Sequence, residues 1–435
     1  MKPIYAHCAA WIRLCAVFCC LPVLAANASP PNILLLSIDT LRADRLGCYG
    51  YDLPTSPNID ELARTGLLFE DAICEVPLTA PSMGSMHTSR YPRMNGTTRN
   101  GLRLPKETRT IAQALEDAGY HTFCVQSNWT LKGKLSGIDR GFTVYDDDFE
   151  EKRWGIIKGE RSGPRVTELA LKYLAERDVT KPFFGWVHYT DPHAPYEKHA
   201  GFNPSGRTLR MKKRERVQHK YDSEVAFTDD QVGTLLKQLP ENTVVVFVAD
   251  HGESLYEHDY LGHGRKIYQD NLHIPMIIQG LGITPGRNIA PVRGIDVGPT
   301  ILGIAGLAKV EGMYGLDLLQ DPLPAARPRV IETYGGAVPK IPGAKSIMAN
   351  TGPMVQGVLL EGWKLILNGE RAPELYKLET DPGELENLAT TQHDKVTELK
   401  AMVSQWDDLT SKGESGGGSL SKEDLEALES LGYIE

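Results

Sequence analysis

The sequence predicts a doubly wound α/β fold, a mostly parallel sheet covered by helices, with a smaller C-terminal α+β subdomain. Three observations carry that expectation. Apolar runs with no polar alternation at 32–38, 183–187 and 243–249 read as strands buried on both faces. Amphipathic, helix-like stretches lie between them, as the layers of an α/β sheet require. A chain of 435 residues that is 41% hydrophobic and 24% charged also has enough apolar surface for a large core, which excludes a disordered chain.

The first element, residues 1–28, stands apart. Lys2 and Arg13 are its only charges, 14–25 is apolar, and Ala26-Asn27-Ala28 reads as a small-residue cleavage site, so the segment reads as a secretory signal. The apolar run of 12 residues falls short of the ~20 that span a bilayer. No transmembrane anchor is expected after cleavage, and the mature chain is expected to be periplasmic or extracellular. Cleavage leaves Cys48, Cys74 and Cys124, an odd number without a Cys-x-x-Cys pair, which read as buried small hydrophobes. With 47 basic and 56 acidic residues and no long Lys/Arg block, a nucleic-acid partner is excluded.

The main domain is expected over 29–309. After the strand at 32–38, a short helix at 59–64 stops at Gly66, and an amphipathic helix at 108–118 ends at Gly119. The strand at 183–187 follows, then a helix at 221–239 leading into the strand at 243–249. From 310 the texture changes to strand-like pieces at 328–333 and 357–367 and a helix at 392–406, a subdomain expected to end at 410. Residues 411–435 read as a Gly/Ser linker and a terminal helix at 422–431. The basic stretch 207–220 reads as a solvated loop face.

Ligands of open α/β sheets bind beyond the carboxyl ends of the strands. Asp39 follows the first run, Asp250 and His251 follow the last, and His188, Asp191 and His193 end the middle one. A single carboxylate after a strand often only caps a helix. Three such ends together, with two Asp and a neutral His, suit a divalent cation. His188 lies within the WVHY run and reads as packed on its strand. Between these strands, PLTAPSMGSMHTSRYP places Pro81 in the first turn of a helix and Thr79 just before it. A hydroxyl there can attack a substrate, and a metal beside it would lower its pKa. The commoner role for Thr79 or Ser82 is to cap the helix. Of the later histidines, His258 reads as exposed and His263 as an anion or second-cation ligand. Arg42 and Arg45 read as structural partners of nearby carboxylates.

IDTLRADRLGCYGY, the segment around Thr79, WVHYTDPHAPY, YDSEVAFTDDQVGTLLKQL, FVADHGESLYEH and ELYKLETDPGELENLA resemble, in order, successive blocks of the sulfatases, within the alkaline phosphatase superfamily. The likeness spans nearly the whole mature chain. It implies an alkaline phosphatase-like fold, with Asp39, Thr79, Asp250 and His251 as ligands of one divalent ion. Zn or Mn suits a site with His, and Ca suits the family. It also implies Thr79 at the nucleophile position and His193 at the transferred group or the leaving oxygen.

In the family this segment reads Cys or Ser, then x-Pro-Ser-Arg, and the Cys or Ser is oxidised to formylglycine. Here Thr79 and Met83 replace the first and last of these residues. A secondary alcohol cannot become an aldehyde, so no formylglycine is expected. Thr40 stands where the family often has a second Asp, QSNWTLKGKL where it has Gly-Lys-Trp-His, and His263 where it has a distal Lys. Thr, two carboxylates and His resemble instead the phosphodiesterase and phosphoethanolamine transferase branches. The expected function is therefore metal-dependent hydrolysis of a sulfate or phosphate ester with Thr79 as nucleophile. Phosphoryl transfer is favoured, and Asp191, His193 and His263 contact the substrate. A formylglycine-independent sulfatase and a non-catalytic anionic-glycan-binding protein are the alternatives. The partner is an anionic small-molecule, glycan or lipid head-group ester, its pocket shaped by loops at 200–220 and 335–352.

The signal reading predicts that the exported protein begins near Ser29. N-terminal mass spectrometry of the mature chain checks this, and an intact Met1 on cytoplasmic protein would overturn it.

Overall fold

Asn32–Ile38, strand β1, lies at the centre of an eight-stranded sheet in the computed structural model. The structure describes residues 30–149, 152–153, 157–158, 160–206, 211–338, 343–349 and 351–410. The expected signal segment, the linker and the helix at 422–431 lie outside them. The other strands are β2 (Leu67–Ile73), β3 (His121–Gln126), β4 (Val144–Asp146), β5 (Phe183–Tyr189), β6 (Thr243–Ala249), β7 (Met276–Gln279) and β8 (Gly286–Arg293). They are ordered β8-β2-β7-β6-β1-β5-β3-β4, and β7 runs antiparallel to both its neighbours. Every residue of β5 and β6 is buried, as expected for strands with helices on both faces. The runs read from the sequence were strands for this reason.

Two groups of helices cover the sheet. One is α1 (Pro57–Thr65), α4 (Gly163–Glu176) and α5 (Lys213–Leu236), linked through α5; the other is α2 (Thr79–Thr88), α3 (Ile111–Asp117) and α6 (Val297–Ile304). All ten residues of α2 are buried, so this helix is a core element rather than an amphipathic surface helix. A capping box between Thr110 and Gln113 starts α3. Helix α5 begins eight residues earlier than the hydrophobic pattern indicated, at Lys213, where the Glu215 carboxylate accepts from the Lys212 amide at 3.0 Å. The second half of the basic stretch is thus helical, not loop. No described helix is long and apolar enough to cross a membrane. Cys48, Cys74 and Cys124 are free thiols, the last two buried.

The C-terminal part is an antiparallel sheet of β9 (Arg329–Thr333), β10 (Val355–Leu360), β11 (Trp363–Leu367) and β12 (Glu374–Lys377), with α7 (His393–Thr410) against it. The apolar run 357–367 is two strands, not one. Glu361 and Gly362, at φ 51° and 73°, make the hairpin turn between them. Arg93 joins the layers. Its guanidinium pairs with Glu332 of β9 and reaches Asp407 Oδ1 at 2.9 Å and Thr410 Oγ1 at 2.7 Å on α7. Glu332 also accepts from Trp406 Nε1 at 3.0 Å. The buried Asp296–Arg327 pair, bidentate at 2.6 and 2.9 Å, ties α6 to the chain entering β9.

Glu75, just beyond β2, is fully buried; Oε1 accepts from the Ile295 amide at 3.0 Å and Oε2 has no partner. Burial pushes its carboxyl up to about 7. Unfolded Glu titrates near ~4.3, so the stability this neutral group contributes is complete below that pH and is lost as pH rises through 7. Chemical denaturation between about pH 4 and 8 should show falling stability, and Glu75→Gln should flatten the trend by up to about 3 kcal/mol.

Candidate active site and cation cradle

Strand register builds the site. Ile38 pairs with Ala249 of β6 and with Tyr189 of β5, so Asp39 and Asp250 emerge side by side from adjacent parallel strands. Both are fully buried. Between them the chain turns through Thr40, whose φ of 55° is strained for a β-branched residue. Two hydrogen bonds hold it there: Thr40 N donates to Asp250 Oδ1 at 3.0 Å, and its carbonyl accepts from Tyr221 Oη at 2.7 Å. Thr79 arrives from the opposite side as the first residue of α2, not before the helix as the sequence suggested, and is 1% exposed.

Neither Thr79 nor Ser82 caps α2. Asn100 Oδ1 takes the Ala80 amide at 3.0 Å, and Ser82 Oγ donates to the Asp250 carbonyl at 2.6 Å. The helix start is satisfied by other groups, which leaves the Thr79 hydroxyl to the site.

Hydrogen bonding gives each of these residues one satisfied atom and one directed inward. Asp39 Oδ2 accepts from Asn128 Nδ2, while Oδ1 has no hydrogen-bond partner among the described residues. Asp250 Oδ1 accepts from the Thr40 and His251 amides, while Oδ2 has none. His251 Nδ1 lies 2.9 Å from the Gly252 carbonyl, which can only accept, so the proton is on Nδ1 and Nε2 offers its lone pair. Nε2 stands 3.4 Å from Thr79 Oγ1, 3.5 Å from Asp250 Oδ2 and 3.8 Å from Asp39 Oδ1. Two unpaired carboxylate oxygens in a buried site cost several kcal/mol unless a cation meets them. Oxygen donors with one imidazole suit a divalent ion.

The electrostatics agree. Burial and then the Asp39 charge push the Asp250 carboxyl well above its ordinary range. Burial acts the same way on Asp39, but the neighbouring His188, His193 and His251 rings outweigh it and hold that carboxyl low. Burial and then His263 depress His251 to about 3, which keeps the imidazole neutral, the form a metal binds.

Asp39, His188 and Asp250 also form a candidate cation site, with ligand atoms all within 4.8 Å of one another. His188 is fully buried on β5, as the sequence indicated, yet its ring reaches the site, with Nε2 3.8 Å from Asp39 Oδ2. Ser37 Oγ accepts from Trp186 Nε1 at 2.9 Å and lies 2.8 Å from His188 Nδ1. Ser37 thus holds the Nδ1 side of the His188 ring, and Nε2 is turned toward Asp39 with no protein hydrogen bond of its own among the described residues.

Two further histidines close the cluster. The His263 ring centre is 4.5 Å from that of His251 and 5.2 Å from that of His193. His193 Nδ1 is 3.5 Å from Glu160 Oε1. Burial lowers the His193 pKa, but Asp39, Glu160 and Glu253 override it and raise it to about 10. Asp191 lies near the start of α4, its Oδ2 beside Gly163. Met83 is buried in the apolar core, so the helix carries no charge at that position. His258 stacks on Tyr268. Arg42 pairs with Asp44, and Arg45 with Asp222.

Sequence reasoning missed Asn128, Glu253, Glu160 and Asn100. Asn128 stands where the resemblance expects Lys, and Glu253 follows Asp-His-Gly, so both carried a signal; Glu160 and Asn100 carried none. A separate cavity of about 820 Å³, lined by Arg42, Glu257, Asp270 and Glu384 among others, contains none of the cradle residues.

Comparison with known proteins comes to the same place. The sulfatase family profile matches residues 31–307. The chain is 25% identical to the uncharacterised sulfatase YidJ of Escherichia coli (strain K12), over 82% of this chain and 83% of that one. It is 28% identical to an ulvan-active sulfatase of Formosa agariphila, over 72% and 70%. Among solved structures, a putative sulfatase from Bacteroides thetaiotaomicron superposes with a TM-score of 0.72 at 19% identity, covering 91% of this chain and 96% of that one. The phosphonate monoester hydrolase of Agrobacterium radiobacter superposes with a TM-score of 0.69 at 19% identity, covering 90% and 98%. These two likenesses show the fold.

The cradle predicts about one tightly held divalent ion per chain. Elemental analysis should find it in wild type and find most of it lost in Asp250→Asn. Asn128→Ala, which frees Asp39 Oδ2, should weaken metal affinity about 10- to 100-fold.

Proposed function

The chain belongs to the sulfatase family, and on that premise we propose that it hydrolyses a sulfate or phosphate ester through an unmodified Thr79 hydroxyl, with phosphoryl transfer favoured. The observation that carries this reading is the placement of Thr79 Oγ1, 3.4 Å from His251 Nε2 and facing the same point as the unpaired oxygens of Asp39 and Asp250. Asp39, Asp250 and His251 would hold the cation beside Thr79. A divalent ion there supplies charge that lowers the pKa of the Thr79 hydroxyl and offsets negative charge on the transferred group.

The chain's own residues supply the rest. The first turn of α2, fixed by Ser82 and Asn100, holds Thr79 for in-line attack. The His193 ring faces the charge of the transferred group, and His263 assists the leaving oxygen. The threonyl ester then yields only to water attacking its central atom. This route suits a phosphoryl group, whose transfer rests on positioning and charge. The names of related proteins, N-acetylglucosamine-6-O-sulfatase and choline-sulfatase among them, support a glycan or small-molecule ester and favour a second reading, a sulfatase that dispenses with formylglycine. Export before action, as the N-terminal segment suggests, completes the proposal.

Parallel kinetics on an aryl phosphate diester, phosphate monoester and sulfate test both readings. Thr79→Ala should lose at least ~100-fold in rate with fold and metal retained. Thr79→Ser should keep measurable activity, and peptide mass spectrometry should find Thr79 unmodified. Sulfate turnover above both phosphate rates would establish the second reading, and a fully active Thr79→Ala protein would overturn both.

A further inference from the structure

Glu253 is a fully buried acid to which no catalytic or metal-binding role has been assigned above. It sits two residues past His251, where a two-residue ladder begins: Ser254–Leu255 pairs antiparallel with Leu261–Gly262, and Ser254 is opposite Gly262. That register sets Glu253 opposite His263, and Glu253 Oε1 lies 3.0 Å from His263 Nδ1. Both ends of the contact are anchored. The Glu253 carbonyl accepts from Arg42 Nη1 at 3.0 Å, the His263 carbonyl accepts from Tyr260 Oη at 2.5 Å, and the next carbonyl, of Gly264, accepts from Thr333 Oγ1 at 2.7 Å.

The chemistry of the contact is asymmetric. An ionised carboxylate only accepts, so His263 must carry a proton on Nδ1. Nε2 has no protein hydrogen bond among the described residues, and the His263 side chain is 16% exposed where that of Glu253 is 0%. Proton exchange with a substrate is therefore confined to Nε2. A carboxylate behind an imidazole fixes its tautomer and orientation and stabilises the imidazolium.

We infer that Glu253 is a positioning residue that holds His263 so that Nε2 protonates the oxygen leaving the ester. Thr79 Oγ1, its hydroxyl proton released to solvent, bonds to the phosphorus or sulfur as the bond from that atom to the leaving oxygen breaks; the electron pair of the broken bond stays on the oxygen, which takes the Nε2 proton and departs as a neutral alcohol. His263 is left neutral, with its Nδ1 proton still on Glu253. Water attacking the Thr79 ester later gives up a proton to Nε2, and the Thr79 oxygen departs with the electron pair of its broken bond and regains a proton from solvent. The inference rests on the Thr79 reading, and its test uses a different readout.

A leaving group that is already stable as an anion needs little protonation, so leaving-group dependence isolates the Glu253–His263 pair. Wild-type, Glu253→Gln and His263→Gln holoenzymes would be compared on 4-nitrophenyl and phenyl esters of whichever acid the parallel kinetics favour. Glu253→Gln should lose about 10- to 100-fold in kcat on the phenyl ester and only a few-fold on the 4-nitrophenyl ester, with KM and metal content kept. His263→Gln should show the same selectivity, the double variant should add little, and Glu253→Asp should recover part of the loss. An equal loss on both esters, or loss of the metal, would overturn the inference and leave the Thr79 reading intact. An active Thr79→Ala protein would remove that reading instead. NMR of the wild-type His263 ring gives a check independent of variants: a proton on Nδ1 is expected, and a ring protonated on Nε2 alone would overturn the assignment.

Discussion

Two carboxylates buried side by side, Asp39 and Asp250, set the terms for the rest of the structure. Like charges in a low-dielectric interior repel strongly and lose their hydration, so the pair is tolerable only where fixed donors take one oxygen of each and a cation can meet the other. The fold supplies the donors from three places, Asn128 beyond β3 and the Thr40 and His251 amides, while the His188 ring stands beside Asp39 from within β5 with Nε2 3.8 Å from Oδ2. The strain at Thr40 belongs to the same arrangement, because its amide can reach Asp250 only with the backbone turned into the left-handed region.

The nucleophile position depends on a different part of the chain. Helix α2 is buried over its whole length, and it is tied to the strand ends by Ser82 on the Asp250 carbonyl. Movement of the helix would therefore move the cradle with it. The loop carrying His263 is held from the C-terminal sheet, through Thr333 on Gly264, and that sheet is clamped by Glu332, Arg93 and α7. The small sheet thus serves the site without contributing a cradle ligand, which gives a physical reason for an appendage so far along the chain to stay packed on the main one.

The strands of the central sheet were legible because burial on both faces leaves an uninterrupted apolar run, and their carboxyl ends pointed directly to Asp39, Asp250 and His251. The beginning of α5 was not legible. Its first two turns are basic and solvent-facing, and only the return of Glu215 to the Lys212 amide marks where the helix starts. The β10–β11 hairpin was hidden for the opposite reason, since Glu361 and Gly362 interrupt a run whose two halves are both apolar.

The sequence by itself determined the fold class, the family, and a set of residue types suited to a cation beside a hydroxyl, because strand order and residue identity are local properties of the chain. Tertiary structure alone decided which oxygen of each carboxylate is hydrogen-bonded and that His251 Nδ1 faces a carbonyl. It also decided that Glu253 meets His263. These outcomes depend on hydrogen bonds across the sheet and its loops, where partners far apart in sequence are brought together by strand register and packing, and no local pattern encodes such pairings.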